Sequence, residues 1–385
     1  MFKKVPLAWL QLTREKSRLL IALAGISFAD ILMFMQLGFR DSLFDASVLM
    51  HQQMEGDIFL VSPQSTALIA MKSFPERRLF QSLAVEGVES IAPVYIGLGL
   101  WRNPDERNTR SILVIGTDPV DRIFDFPGLE EEDYDRLKLE DTVLFDRNSR
   151  PEFGPVAEWF DAGRDVETEI DGRRIEVGGT FELGATFGAD GNLIVSELNF
   201  LRIFAGRDRG LIDIGVVQLE PGTAVEPVLA AMRENLPDDV WYFSKEEFVN
   251  WEKNYWQSST AIGFIFALGA GMGFVVGIVI VYQILYTDVA DHLPEYATLK
   301  AMGYTDRYLL GVVFQEAIIL AFVGYLPGLG ICMVLYNMTA AATSLPVFMT
   351  VGRATTVFIL TVVMCFVSGA VAVRKLSAAD PADIF

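Results

Sequence analysis

The chain has 385 residues, is 51% hydrophobic, and still carries a formal net charge of −19. Residues 41–257 hold 20 Lys/Arg against 41 Asp/Glu, a balance of −21, while the remainder sits at +2. An acidic soluble domain is therefore inserted into a nearly neutral apolar frame, and its charge excludes nucleic acid and anionic headgroups as its partners.

In chain order, residues 1–18 combine Lys3, Lys4, Arg14, Lys16 and Arg18 with Pro6, Leu7, Trp9, Leu10 and Leu12. This predicts a cytoplasmic amphipathic segment on a membrane surface, or else a disordered tail. Residues 19–39 form the first expected span. Twenty-one residues rising 1.5 Å each reach about 31 Å, the thickness of a hydrocarbon core. The span is too long for a signal peptide and lacks a small-residue cleavage site, so it reads as an uncleaved anchor. Asp30 interrupts it. A carboxylate at mid-membrane costs roughly 2.5–3.5 kcal/mol, which predicts a helix-contact or gating residue, a protonated acid, or a place near the interface.

Residues 40–257 alternate strand-like and helix-like runs. Strands are expected at 57–62, 91–101, 111–115, 142–145, 174–181, 192–195 and 212–219, and helices at 75–85 and 224–236. This order predicts an extracytoplasmic α+β domain, possessing neither of the chain's two cysteines, Cys332 and Cys365. The dense acidic run from Glu130 to Asp133 with Asp135 reads as a solvated face rather than a cation site. Residues 187–192 read as a turn without the acidic spacing of a calcium loop. Trp251, Tyr255 and Trp256 precede the next span as an expected aromatic belt.

Residues 261–286 form the second expected span, without a charge. Gly269, Gly273 and Gly277 recur at i, i+4, i+8 and line one helix face, a pattern that lets another helix approach closely. Whether that helix belongs to this chain or to a second copy stays open at this point. Residues 309–338 form the third span, kinked or ended by Pro327-Gly328. Its one charge, Glu316, either pairs with a polar group on a neighbouring span or sits near the membrane edge. Residues 354–373 form the fourth span, and 374–385 a cytoplasmic tail.

Between spans two and three, residues 287–308 form a short loop. Its segment from Pro294 to Met302 reads as a helix with Pro294 in the first turn, Glu295 at the positive end, Lys300 at the negative end and Gly303 as the C-terminal stop. A helix of two to three turns is marginal alone in water, so it needs a partner surface. Short loops rich in Lys/Arg then place both termini and this stretch in the cytoplasm, with the acidic domain outside.

The chain lacks the G-x-x-x-x-G-K-[ST] of a nucleotide site and a G-x-S-x-G elbow, and its two histidines, His51 and His292, fall in different regions. No catalysis and no cofactor or metal site is expected. Four spans are few for a self-contained substrate pathway. By elimination, the chain reads as a transmitter of motion.

The layout of one span, a large outside domain and three closing spans resembles the MacB/FtsX-type permeases of ABC systems. The run Glu295-Tyr296-Ala297-Thr298-Leu299-Lys300-Ala301-Met302-Gly303 is similar to their loop E-x-G-x-L-K-A-L-G, with Ala297 where glycine is frequent. Runs at 28–34, 145–150, 282–289 and 380–382 resemble the DevC subgroup. The resemblance implies an α-helical membrane protein of four transmembrane helices with an α+β extracytoplasmic domain between helices 1 and 2. It further implies an inner-membrane homodimer, a separate ABC ATPase, a periplasmic membrane-fusion adaptor and a TolC-like outer-membrane channel, exporting glycolipid or related envelope material. Glu295, Tyr296, Leu299, Lys300, Met302 and Gly303 would dock on the ATPase. Unlike MacB itself, the chain has no fused ATPase. An FtsX-like regulator that activates an envelope hydrolase is the alternative.

Overall fold

Apolar residues at successive strand positions divide between two faces. Ile58 and Leu60 lie in one apolar core, and Phe59 and Val61 in another. Ile112 and Val114 split from Leu113 and Ile115 in the same way. The period of two along a strand therefore builds a sheet buried on both sides.

The computed structural model describes residues 9, 14, 16–186, 188–292, 294–295, 298, 302, 305–343 and 345–378. The strands are β1 Ile58–Val61, β2 Phe74–Pro75, β3 Val88–Arg102, β4 Thr109–Thr117, β5 Thr142–Asp146, β6 Glu167–Ile170, β7 Arg173–Phe181, β8 Asn192–Ser196, β9 Leu211–Ile212, β10 Ile214–Leu219 and β11 Trp241–Ser244. The helices are α1 Lys16–Ser47, α2 Leu49–Gln53, α3 Arg77–Gln81, α4 Glu131–Leu137, α5 Val156–Asp161, α6 Glu197–Ile203, α7 Val225–Asn235, α8 Lys245–Asn254, α9 Ala261–Asp291, α10 Asp306–Thr343 and α11 Val351–Ala378.

Leu43–Thr260 with Thr343–Pro346 make one compact unit, and the other described residues make a second. The first unit is α+β. Nine strands run in the order β11-β1-β10-β3-β4-β8-β5-β7-β6, and β6 also touches β3 at Ile170 opposite Trp101. Strands β3, β4, β8, β5, β7 and β6 thus close on themselves. The pairs β4–β8 and β5–β7 are parallel and the rest antiparallel. Asp146, at the end of β5, is a buried hub. It accepts from the amides of Asn148, Leu183 and Gly184 and from the Asn192 side chain, at 2.7–3.0 Å. Burial raises its carboxyl, and these four donors offset part of that rise.

The acidic run is a helix start, not merely a solvated face. Glu130 caps α4 in a reciprocal arrangement with Asp133, and Asp133 and Tyr134 are buried. Nor do the tryptophans form a lipid-facing belt. Trp256 is buried and donates to Glu252 Oε1 at 2.8 Å, while Trp251 stacks on Phe248. Short strands β2, β6 and β11 are not among the expected runs, and β9 is met only at Ile212 by the run 212–219, because they are two to four residues long or polar at alternate positions.

The second unit is helical. Four of its helices are long and apolar enough to cross a membrane, with windows in Lys16–Ser47, Ala261–Asp291, Gly311–Thr343 and Val351–Ala372. Their shared core includes Ala22, Ile26, Ala29, Val281, Leu285, Ala317, Leu320, Ala321, Met364 and Cys365. Alanines recur in that list, as expected where close backbone approach replaces hydrophobic drive. Pro327 lies inside α10. Near it, Ser27 of α1 donates to the Gly324 carbonyl at 2.9 Å.

Candidate functional site

The helix α9 runs five residues past the apolar segment that ends at Tyr286, and its last turns carry Asp288 and Asp291. Carboxylates near a helix C-terminus face the negative end of the helix dipole, so they need cations. Arg18, near the start of α1, supplies one. Its guanidinium donates to Asp291 Oδ2 at 2.5 Å and lies 3.7 Å from Asp288 Oδ1. His292 Nδ1 sits 2.9 Å from the Asp288 carbonyl oxygen and 3.7 Å from its Oδ1. From α10, the fully buried Glu316 turns its carboxyl toward that of Asp288. One end of α1, α9 and α10 is thus clasped by five ionisable side chains. Exposed Arg14 reaches Glu295 Oε1 at 3.4 Å.

The expected coupling helix begins directly after this clasp. Glu295 is exposed, and so is Met302, whose amide donates to the Thr298 carbonyl at 3.0 Å. The Thr298 hydroxyl donates to the Pro294 carbonyl at 2.8 Å. These i to i+4 bonds are helical in spacing. Tyr296, Leu299, Lys300 and Gly303 lie outside the described residues.

The glycine face of α9 meets α1 of the same chain. A Cβ on Gly269 would strike the Gln36 carboxamide at 2.5 Å, one on Gly273 would stand 3.2 Å from Leu32 Cβ, and one on Gly277 would collide with Met364 and Ala29. Gly271, on another face, has open space. Asp30 is fully buried where three helices meet. It accepts from the Thr361 hydroxyl of α11 at 2.5 Å, and its Cβ would be 3.0 Å from a Cβ placed on Gly328 of α10. Asp30 is therefore set apart from Glu316, which belongs to the clasp. At the opposite end of α1, Arg353 donates twice to Asp41 Oδ2, at 3.0 and 3.1 Å. Tyr336 donates to the Phe34 carbonyl there.

Sequence reasoning missed Arg18, Asp288, Asp291 and His292 as one group. The local signal was present: two carboxylates and a histidine at i, i+3 and i+4 face one side of a helix. Their cation lies at least 270 positions away, and only folding brings it near. Among the described residues, no group of three or more His, Cys, Asp or Glu is arranged to hold a metal ion.

Comparison with known proteins gives two family matches. Residues 19–235 match the MacB-like periplasmic core domain. Residues 260–381 match the FtsX-like permease C-terminal model. Among solved structures, the chain is similar to the periplasmic region of MacB from Actinobacillus actinomycetemcomitans, with 10% identity, a TM-score of 0.36, and coverage of 51% of this chain and 92% of that one. It is also similar to the extracellular domain of the noncanonic ABC-type transporter YknZ from Gram-positive bacteria, with 16% identity, a TM-score of 0.32, and coverage of 49% and 99%. No curated protein matches the chain.

Proposed function

Because the chain belongs to the MacB/FtsX-like permease superfamily, we propose that it is the permease subunit of a tripartite ABC exporter. Membership makes it a multi-pass membrane protein with a large periplasmic domain working in an ABC-type system, and implies an ABC ATPase and a membrane-fusion adaptor as associates. The finer reading is ours. A homodimer binds a separate ATPase through the cytoplasmic stretch Glu295–Gly303. The adaptor and a TolC-like channel complete the path outward, and the cargo is glycolipid or other envelope material. Spans lie at 19–39, 261–286, 309–338 and 354–373, with both termini in the cytoplasm.

The observation that carries this reading is the clasp. The coupling stretch is rooted in α9, and Arg18, Asp288, Asp291, His292 and Glu316 tie that root to α1 and α10. Force applied to a short exposed helix by a nucleotide-driven partner would reach three membrane helices together. No step of ATP chemistry is asked of this chain. Its work is mechanical, with the glycine face holding α1 and α9 in one body.

Purification in mild detergent tests the reading. An ATPase and an adaptor recovered with the tagged chain support it, whereas an ATPase with a cell-wall hydrolase supports the regulator. Within the complex, the double exchange Glu295→Lys with Lys300→Glu is expected to lower stimulated ATP hydrolysis and export about tenfold, the effect of losing a charged contact pair at an interface. Unchanged hydrolysis and export would remove the docking assignment.

A further inference from the structure

Strand β3 has a gap along one edge. Its even-numbered residues direct their backbone groups away from β4, as Leu113 opposite Leu98 shows by donating instead to Gly191 on the far side. On that edge the Val94 carbonyl accepts from the Asp213 amide, and the Ile96 amide donates to Asp213 Oδ2 at 2.7 Å. Four residues on from Ile96, Leu100 exchanges both its backbone groups with Asp171, donating to Oδ1 at 3.0 Å and accepting from the amide at 3.1 Å. Between these two aspartates, neither β10 nor β6 covers the strand, since β10 ends its pairing at Val94 and β6 touches only Trp101. The Ile96 carbonyl and both backbone groups of Leu98 are left without a partner among the described residues.

The surroundings fit the same gap. Leu98 and Leu100 point to one face and are 48% and 55% exposed. On the other face Gly97 lies under Phe204 and Gly99 under Ile170, with no room for side chains. A cavity of about 320 Å³ opens beside Gly97, Phe204 and Arg207. Another of about 470 Å³ opens beside Leu100, Arg107 and Asp171. The arginines around the gap are otherwise engaged: Arg102 with Glu169, Arg110 with Asp190, and Arg207 with Asp213. Arg107 is exposed, borders the second cavity, and has no carboxylate partner among the described residues.

We infer that this gap is a strand-addition slot for an extended segment of the periplasmic adaptor, with an acidic residue of that segment opposite Arg107. The inference rests on the exporter reading for the adaptor's presence. Three open backbone valences along an extended edge select a peptide backbone, because a lipid tail or a helix surface fills none of them. At 3.4 Å per residue the slot from Ile96 to Leu100 is about 14 Å long, room for about three added residues. One residue of the segment would close a ring of two hydrogen bonds with Leu98, and the amide two residues further along it would reach the Ile96 carbonyl. Apolar side chains of the segment would cover Leu98 and Leu100. In a domain with a balance of −21, a single unengaged cation at the end of the slot sets the direction and the acidic end of the segment.

The test uses the full chain co-expressed with its adaptor. A photoreactive residue at Leu100 is expected to crosslink to one extended adaptor segment, and one at Leu83, exposed on a different surface, is expected to give none. Leu98→Pro removes an N–H that makes no internal bond, a change that an open edge tolerates, and is expected to weaken adaptor capture about tenfold. Arg107→Glu is expected to weaken it severalfold, more at low salt than at high. Normal adaptor capture by both variants, with no crosslink at Leu100, overturns the slot while leaving the exporter reading intact. A wild-type chain that captures no adaptor overturns both.

Discussion

His51 packs its ring 4.5 Å from that of Phe248 and is fully buried beside Glu252, which accepts from the Leu68 amide and the Trp256 indole at 2.8 Å each. Burial pushes the imidazole down to about 3 and the carboxyl up to about 7. The two shifts act with opposite sign over overlapping acid ranges. His51 binds a proton more readily when unfolded, so stability falls as pH drops below about 6.5 toward 3. Glu252 binds a proton more readily when folded, so its contribution is complete below about 4.5 and is lost as pH rises through about 7. In His51→Phe, which keeps the aromatic volume, the acid-side loss is expected to shrink by a slope of up to about 1.4 kcal/mol per pH unit. Unfolding midpoints followed by tryptophan fluorescence from pH 3 to 7 measure it; an unchanged acid slope would place the loss elsewhere.

Gly277 is the tightest of the three glycines on the α9 face, with Met364 and Ala29 against it. Gly277→Leu is expected to cost about 1–3 kcal/mol by forcing α9 from α11 and α1. Gly271→Leu, on an open face of the same helix, serves as the control. Thermal midpoints in detergent compare them. Equal midpoints would show that the face does not carry the packing.

At the scale of elements, the clasp makes α1 and α9 a charge-matched pair. Arg18→Asp is expected to place a fourth carboxylate with those of Asp288, Asp291 and Glu316 and to weaken stimulated ATP hydrolysis about tenfold. Adding Asp291→Arg restores opposite signs and is expected to recover most of that loss. Recovery distinguishes a pairing between the two helices from independent roles. A double variant no better than the single one would dissolve the pair. Elements were legible in the sequence where a period was clean. The strand runs around residues 91–101, 142–145 and 174–181 overlap β3, β5 and β7, because apolar and β-branched residues alternate or run together there. β6 escaped because Glu167-Thr168-Glu169-Ile170 offers little apolar contrast, and β11 because Trp241-Tyr242-Phe243-Ser244 is too short to show a period.

At the scale of the whole molecule, hydropathy revealed the inserted domain and four apolar helices, because a bilayer-length apolar run is the strongest signal a sequence carries. What it concealed was partnership. The sequence left Glu316 either paired with a polar group on a neighbouring span or near the membrane edge and could not name Asp288 of α9 as the group facing it, and the end of α9 reads as loop when Asp288 and Asp291 are taken without Arg18. Distant pairs of this kind have no local trace, which is why the glycine face could be drawn in advance but not its occupant.

Those distances have a consequence for how the protein is made. Asp30 lies on the earliest of the four long apolar helices in chain order, and its hydroxyl partner, Thr361, lies on the fourth, 331 residues later. At roughly 5–20 residues per second of synthesis, that gap lasts about 20–60 s. Ser27 waits nearly as long for the Gly324 carbonyl, 297 residues away. An unpartnered carboxylate in lipid costs roughly 2.5–3.5 kcal/mol, so the newborn α1 is expected to carry that cost until the helix bearing Thr361 is made.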